Sequence, residues 1–224
     1  MLMTRMLSGA QGLTYAQVVL QDGPVAFWPL NETSGTVAHD ISPNGLNATI
    51  ESGVTLGESG IPAGGGSFLF NGSSGYCNVP ANSLLCPLSQ GTIEAWVKPT
   101  SLSATGDWVS TGDNSGYRVR SEAGYPDIVY NDADQLKSTQ VLSETAFQHV
   151  VITFGPSGSQ IYQNGVLVVS GGAAYSQSAG TQALYIGANL TYREYFPGYL
   201  SNVAIYNTVL TPARIQAHYN AGIA

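Results

Sequence analysis

The side chains with chemical reach in this chain are fourteen carboxylates, three histidines, two cysteines and many aromatics, thirteen Tyr and three Trp among them. Hydrolysis of a glycosidic bond needs two carboxyl groups about 5–10 Å apart across a cleft. Glu94, in TIEAWV, is the best strand-borne candidate for one of them. His39 and His218 stand isolated, as surface residues would, and no order of Ser, Cys, His and Asp suggests a nucleophile with its base. Catalysis is not expected.

Sugar binding asks for something else: aromatic rings that lie against pyranose faces, with amides and carboxylates to fix the hydroxyls. Trp108 in TGDWVS, together with Tyr117, Tyr125, Tyr130, Tyr192 and Tyr195, lies near turn-rich stretches and forms the candidate ligand-binding set. The acidic run of Asn131, Asp132 and Asp134 in YNDADQ reads as a solvated turn. Cys77 and Cys86, in YCNVPANSLLC, are spaced to close a loop through a disulfide, which would add roughly 2–3 kcal/mol. Equally, they are two small buried hydrophobes in a chain made in a reducing compartment.

The elements that must position these groups are mostly strands. VAFWPL, LNATI, SFLF, YCNVP, TIEAWVKP, WVST, YRVRS, DIVYN, HVVITF, QIYQ, VLVVS, ALYIGA and YLSNVAIY all carry β-branched or aromatic residues between turn signals such as SPNG and NGSSG. QIYQ and VLVV are joined by Asn164-Gly165, the preferred two-residue hairpin turn. In TIEAWVKP, Ile93, Ala95 and Val97 alternate with Glu94, Trp96 and Lys98, which predicts one buried and one wetter face. Helices are predicted only near the ends. TYAQVVLQDG has Thr14 as N-cap; LTPARIQAHYNAG has Thr211 as N-cap, Pro212 at the first helical position and Gly222 just past the end. The pattern is that of an all-β, two-sheet antiparallel sandwich.

Composition narrows the setting. Charged residues are 9% of the chain, against about 25% in ordinary soluble domains, so the surface is polar without being charged. A net charge of −7 with no Lys/Arg cluster argues against nucleic acid as a partner. No apolar run approaches the ~18 residues of a membrane span. The opening MLMTRMLSGAQG lacks the continuous apolar stretch of roughly 7–15 residues that an export signal needs.

Five stretches in order, DGPVAFWPLNETSG, DISPNGLNATI, GTIEAWVKPT, FQHVVITF with IYQNGVLV, and FPGYLSNVAIYNTVLTPARIQAHYNAG, carry a resemblance. From Tyr15 to Gly222 the chain resembles the laminin-G-like, concanavalin-A-like jelly-roll family of bacterial and phage proteins. The resemblance implies a concanavalin-A-like jelly roll in which VAFWPL pairs with YLSNVAIY, with Trp28 and Trp96 in the core. It makes Glu94 a structural strand residue and gives His149 a packing and hydrogen-bonding role at a strand start. It also implies a Ca²⁺ site, with Glu32 and Asp40 at the family's acidic positions. The family's late acidic pair falls on Ser201 and Asn202, so a site of Glu32, Asp40 and Asn202 would be weak. Read from the residues alone, Glu32 and Asp40 cap turns.

The expected organisation is a flexible arm over residues 1–13 and one laminin-G-like domain over 14–224. The expected function is that of a non-catalytic virion-surface protein, a capsid decoration or a tail or fibre component made in the host cytoplasm without a signal peptide. Its partners would be other virion proteins, further copies of itself and host surface glycans, and Ca²⁺ is the one candidate cofactor. The alternative is an extracellular carbohydrate-binding lectin or adhesion module.

Overall fold

The computed structural model describes residues 12–86, 89–111, 116–130, 133–176 and 182–224. Its first element is a short helix, α1 Tyr15–Leu20, set by a capping box: Gln17 N donates to the Thr14 hydroxyl and Thr14 N donates to the Gln17 side chain. Strands follow: β1 Ala26–Trp28, β2 Val37–Ala38, β3 Ala48–Ile50, β4 Val54–Ile61, β5 Gly64–Asn71 and β6 Cys77–Val79. Next come β7 Gly91–Pro99, β8 Gly106–Ser110, β9 Tyr117–Glu122, β10 Tyr125–Tyr130 and β11 Ala133–Lys137. Then β12 Gln148–Gly155, β13 Gly158–Gln163, β14 Val166–Gly171, β15 Leu184–Ile186, β16 Ala188–Asn189, β17 Glu194–Tyr195 and β18 Pro197–Tyr206 lead to the last helix, α2 Pro212–Ile223.

Among the described residues the strands form two sheets. The first runs β14-β13-β12-β7-β18-β5-β4, with β1 also on β18; the second runs β11-β10-β9-β8-β15-β6-β3-β2, with β17 joining at β8. Pairing is antiparallel except for a single bridge between Tyr195 and Asp107. As the resemblance implies, the first strand meets the last, Ala26 opposite Ile205 and Trp28 opposite Val203. Asn164 and Gly165 take the left-handed backbone (φ 52° and 79°) that the two-residue turn between β13 and β14 requires.

Side chains from the facing surfaces of the two sheets make the main core, with Phe68, Phe70, Val97 and Ile152 from the first against Val79, Trp108, Val119 and Ile128 from the second. A smaller cluster joins Tyr15, Val19 and Ile215 of the helices to Phe27, Trp96, Val151 and Tyr206. The helices therefore roof the outer face of the first sheet, and the molecule has three layers. This roof overturns the alternation expected of TIEAWVKP: Glu94 and Trp96 are as buried as Ile93 and Val97, and only Lys98 of that face stays half-exposed. It also explains Gly222, which lies inside α2 rather than past its end. A Cβ there would stand 2.1 Å from Trp96 Cζ2, so only glycine lets the helix lie down on the ring.

Patterning does not predict β4 or β11. Both are edge strands, VTLGESGI and ADQLK, made almost wholly of half-buried and exposed positions, with Ile61 the one buried residue, and they lack a continuous apolar face. The solvated turn expected at YNDADQ is thus in part a strand, with Asp134 on it; Asn131 and Asp132 lie outside the described residues.

Candidate functional site

The strongest catalytic candidate is sealed. Glu94 is fully buried under the helices and accepts from four donors: Tyr15 Oη at 2.5 Å, His149 Nε2 at 2.8 Å, His218 Nδ1 at 2.9 Å and Tyr206 Oη at 3.1 Å. Burial alone would raise its pKa, but His218 and His149 outweigh this and hold it far below the usual carboxylate range. His218 is not the surface residue its isolation in sequence predicts. It is buried, and its other nitrogen lies 2.6 Å from Asp22 Oδ2, to which Arg214 Nε donates at 2.9 Å. Both Glu94 oxygens are thus filled, and the cluster binds α1 and α2 to the sheet; His149 Nδ1 and the nearby Trp96 Nε1 are buried without partners beneath the helices.

The outer face of the second sheet is built differently. Side chains alternate along β6 and β15, so Cys77, Val79, Leu184 and Ile186 point into the core and are fully buried. Tyr76, Asn78 and Tyr185 take the opposite face and stay half-exposed. Register aligns Thr49, Asn78, Tyr185, Ser110 and Arg118 in one row across β3, β6, β15, β8 and β9. The Tyr76 and Tyr185 rings meet edge to face with centroids 5.8 Å apart. Partial burial raises the Tyr76 phenol, and Glu51, Tyr195 and Tyr185 raise it further. Tyr195 joins the sheet through its bridge to Asp107 of β8. Asn78 Oδ1 is buried without a hydrogen-bond partner. So is Nδ2 of Asn189, whose Oδ1 accepts from Tyr192 N at 3.0 Å.

A charged belt borders this row. Arg118 grips Asp107 with two parallel bonds of 3.0 Å, contacts Glu194, and lies 4.5 Å from the centre of the Tyr192 ring. Arg120 donates to Asp127 at 3.0 Å and to Asp134 at 2.7 Å. Burial pushes Asp107 up to about 7, against the pull of Arg118, and Asp127 up to about 6, against Arg120. Glu194 thereby ties the segment bearing Tyr192 and Tyr195 down to the sheet.

Of the six residues expected to meet a ligand, the structure brings Tyr192 and Tyr195 to this face, with Tyr192 43% exposed. Tyr125 is half-buried at the start of β10, away from the aromatic row. Trp108, Tyr117 and Tyr130 are corrections: each is 1% exposed in the core between the sheets. Tyr117 Oη donates to Leu85 O at 3.0 Å and Tyr130 Oη donates to Ala173 O. Nearness to loops misplaces them because strand alternation, not loop distance, decides which way a side chain points. The same alternation, read in YCNVP and ALYIGA, marks Tyr76, Asn78 and Tyr185, which the candidate set lacks. Cys77 and Cys86 are buried and not joined by a disulfide, and burial pushes the Cys77 thiol up.

The metal set separates too. Asp40 Oδ1 accepts from Phe27 N and Ser42 N, both at 2.8 Å, while Oδ2 accepts from the Ser42 hydroxyl at 2.8 Å and Leu46 N at 2.6 Å. Asp40 is a turn cap with no oxygen to spare. Glu32 and Asn202 do share a cavity of about 400 Å³, lined also by Tyr15, His39, Ile61 and Gly66. Glu32 Oε1 accepts from His39 N at 2.7 Å, and its Oε2 is buried without a partner. Asn202 spends its amide nitrogen on Ser201 Oγ at 2.7 Å, and Ser201 Oγ donates to Gly66 O at 2.8 Å. One carboxylate oxygen and one amide oxygen fall short of the several carboxylates that calcium gathers among six to eight oxygens. The donor set does not fit calcium.

Two face-packed sheets, closed by first-to-last strand pairing, define a concanavalin A-like jelly roll. Residues 71–216 match the laminin-G family described as the concanavalin A-like lectin/glucanases superfamily, and the chain belongs to it. No curated protein matches. Among solved structures, the chain is similar to domain 4 of AbnA, a GH43 extracellular arabinanase from Geobacillus stearothermophilus, in complex with arabinotriose. The TM-score is 0.67 at 19% identity, covering 88% of this chain and 98% of that one. The binding domain of Paraclostridial Mosquitocidal Protein 1 matches with TM-score 0.70 at 16% identity, over 90% of this chain and 53% of that one. Trypanosoma rangeli sialidase in complex with sialic acid matches with TM-score 0.65 at 18% identity, over 88% of this chain but only 32% of the sialidase. At these identities the likeness is one of fold.

Proposed function

We propose that this chain is a non-catalytic module that binds a glycan across the outer face of the second sheet. The observation that carries the reading is the edge-to-face pair of Tyr76 and Tyr185, with Tyr185 opposite Asn78, whose buried Oδ1 has no partner. Aromatic rings supply flat apolar area, and an unpaired amide atom lacks the hydroxyl that would satisfy it. The likeness to the arabinanase domain, which was solved with arabinotriose, supports the same reading. Glu94, with four donors around its two oxygens, leaves nothing for a substrate.

Retention on polysaccharide gels tests this. Wild-type protein should be slowed by at least one neutral polysaccharide, and Tyr185→Ala should run freely at an unchanged melting temperature. If Tyr185→Ala is slowed as much as wild type, the binding face is elsewhere.

A virion-surface role is the narrower form of the proposal. Its support is the polar body with 9% charged residues; the apolar arm it invoked lies mostly outside the described residues. Co-sedimentation with capsid or tail particles is the measurement that decides it.

A further inference from the structure

We infer that the glycan taken by this face is neutral, recognised through its hydroxyls, and that sugars carrying a carboxylate are rejected. This rests on the binding face proposed above and names its ligand class. A carboxylate-bearing sugar needs a cation with donors to spare, since stripping water from an anion without a partner is costly. The cations of the belt are already matched by acids. Arg118 is occupied by Asp107 and Glu194, Arg120 by Asp127 and Asp134, and Lys137 by Glu122.

The field is also unfavourable. Glu51 beside Tyr76, with the five acids of the belt, outnumbers Arg118, Arg120, Lys137 and the exposed Arg193. Charges of one sign within a Debye length repel an incoming anion, and added salt screens that repulsion. Among the described residues, three polar atoms of the row and belt lack partners: the uncharged acceptor Asn78 Oδ1, the uncharged donor Asn189 Nδ2 and the carboxylate oxygen Asp127 Oδ1, which would itself repel an anion. A hydroxyl answers either amide atom; a carboxylate answers only the donor.

Matched probes test this by calorimetry on the full chain: galactotriose against trigalacturonate, and lactose against 3′-sialyllactose. The neutral member of a pair should bind at least about tenfold more tightly at low salt, with the gap narrowing as NaCl is added. Glu194→Gln, checked for an unchanged melting temperature, removes one belt charge and releases an Arg118 donor, so it should narrow the gap as well. Tighter binding of the acidic members by wild type overturns this inference while leaving the glycan reading intact. If no member of either pair binds, and polysaccharide gels also fail to retain the protein, both readings fall.

Discussion

The outer faces of the two sheets begin from similar material and end as opposites. Each presents buried acids, positive partners and tyrosines. Under the helices, one carboxylate, Glu94, collects two histidines and two tyrosines, and Asp22 and Arg214 close the circuit. On the second sheet the acids and arginines also pair, but beside them stand the paired tyrosines Tyr76 and Tyr185 and amide atoms with no partner. Density of charge therefore does not mark the site; access does. Glu94 has its four donors, and the atoms left unpaired around it, His149 Nδ1 and Trp96 Nε1, are sealed beneath the helices. On the second sheet the unpaired Asn78 Oδ1 belongs to a half-exposed residue on an open face, where a bond can still be made.

The sharpest way to break the contrast is to unbalance the sealed side. Glu94→Ala leaves buried donors and a buried imidazole pair without their acceptor, and should cost about 3–5 kcal/mol in urea denaturation. Glu94→Gln should cost less. A loss under about 1 kcal/mol for the alanine variant would mean that the cluster does not hold the roof. Gly222→Ala comes next. Its Cβ would collide with Trp96, and the helix or the ring must shift, at about 1–3 kcal/mol. A melting temperature equal to wild type would show that α2 does not lie as close as described.

A pH series sharpens the comparison further. Glu94 is held low, so its contribution is complete above the ordinary Glu value of about 4.3 and is lost as pH falls. Burial alone would lower His218, but Glu94 and Asp22 raise it; its contribution is complete below about 6.5 and is lost as pH rises through its raised value. The Glu94–His218 contribution should therefore be complete between about pH 4.5 and 6.5 and be lost in Glu94→Gln. Asp107 and Asp127, raised by burial, add to both proteins a decline as pH rises from about 3.9 towards 7. Carboxyl NMR titration reads the two faces separately: Asp107 should titrate near 7 and Asp127 near 6, while Glu94 stays ionised through both. Titration of Glu94 in the ordinary range would contradict its four-donor shell. The smallest effect is expected from chelation. EDTA should leave the melting temperature unchanged, because Asp40 is spent on turn hydrogen bonds; a fall restored by calcium would show that Glu32 and its neighbours suffice.

Local order was readable wherever a short-range rule governs. Thr14 and Thr211 cap their helices, Asn164-Gly165 turns its hairpin, and the apolar strand runs fall where alternation and turn residues place them. These depend on φ, ψ and hydrogen bonds within a few residues, which the residue types themselves dictate. What escaped was everything decided by the third dimension. His218 and Glu94 are 124 positions apart and meet only because α2 folds back over β7. Trp108 and Tyr117 carry the same chemistry as Tyr185, yet they are core and it is surface, because each strand's register settles which face its alternate residues take. The chain by itself thus determined its apolar strands, its caps and the jelly-roll class, but not the edge strands β4 and β11. Only tertiary packing decided which acids are quenched and which polar atoms remain unpaired, because partners so distant in sequence meet only when the layers close.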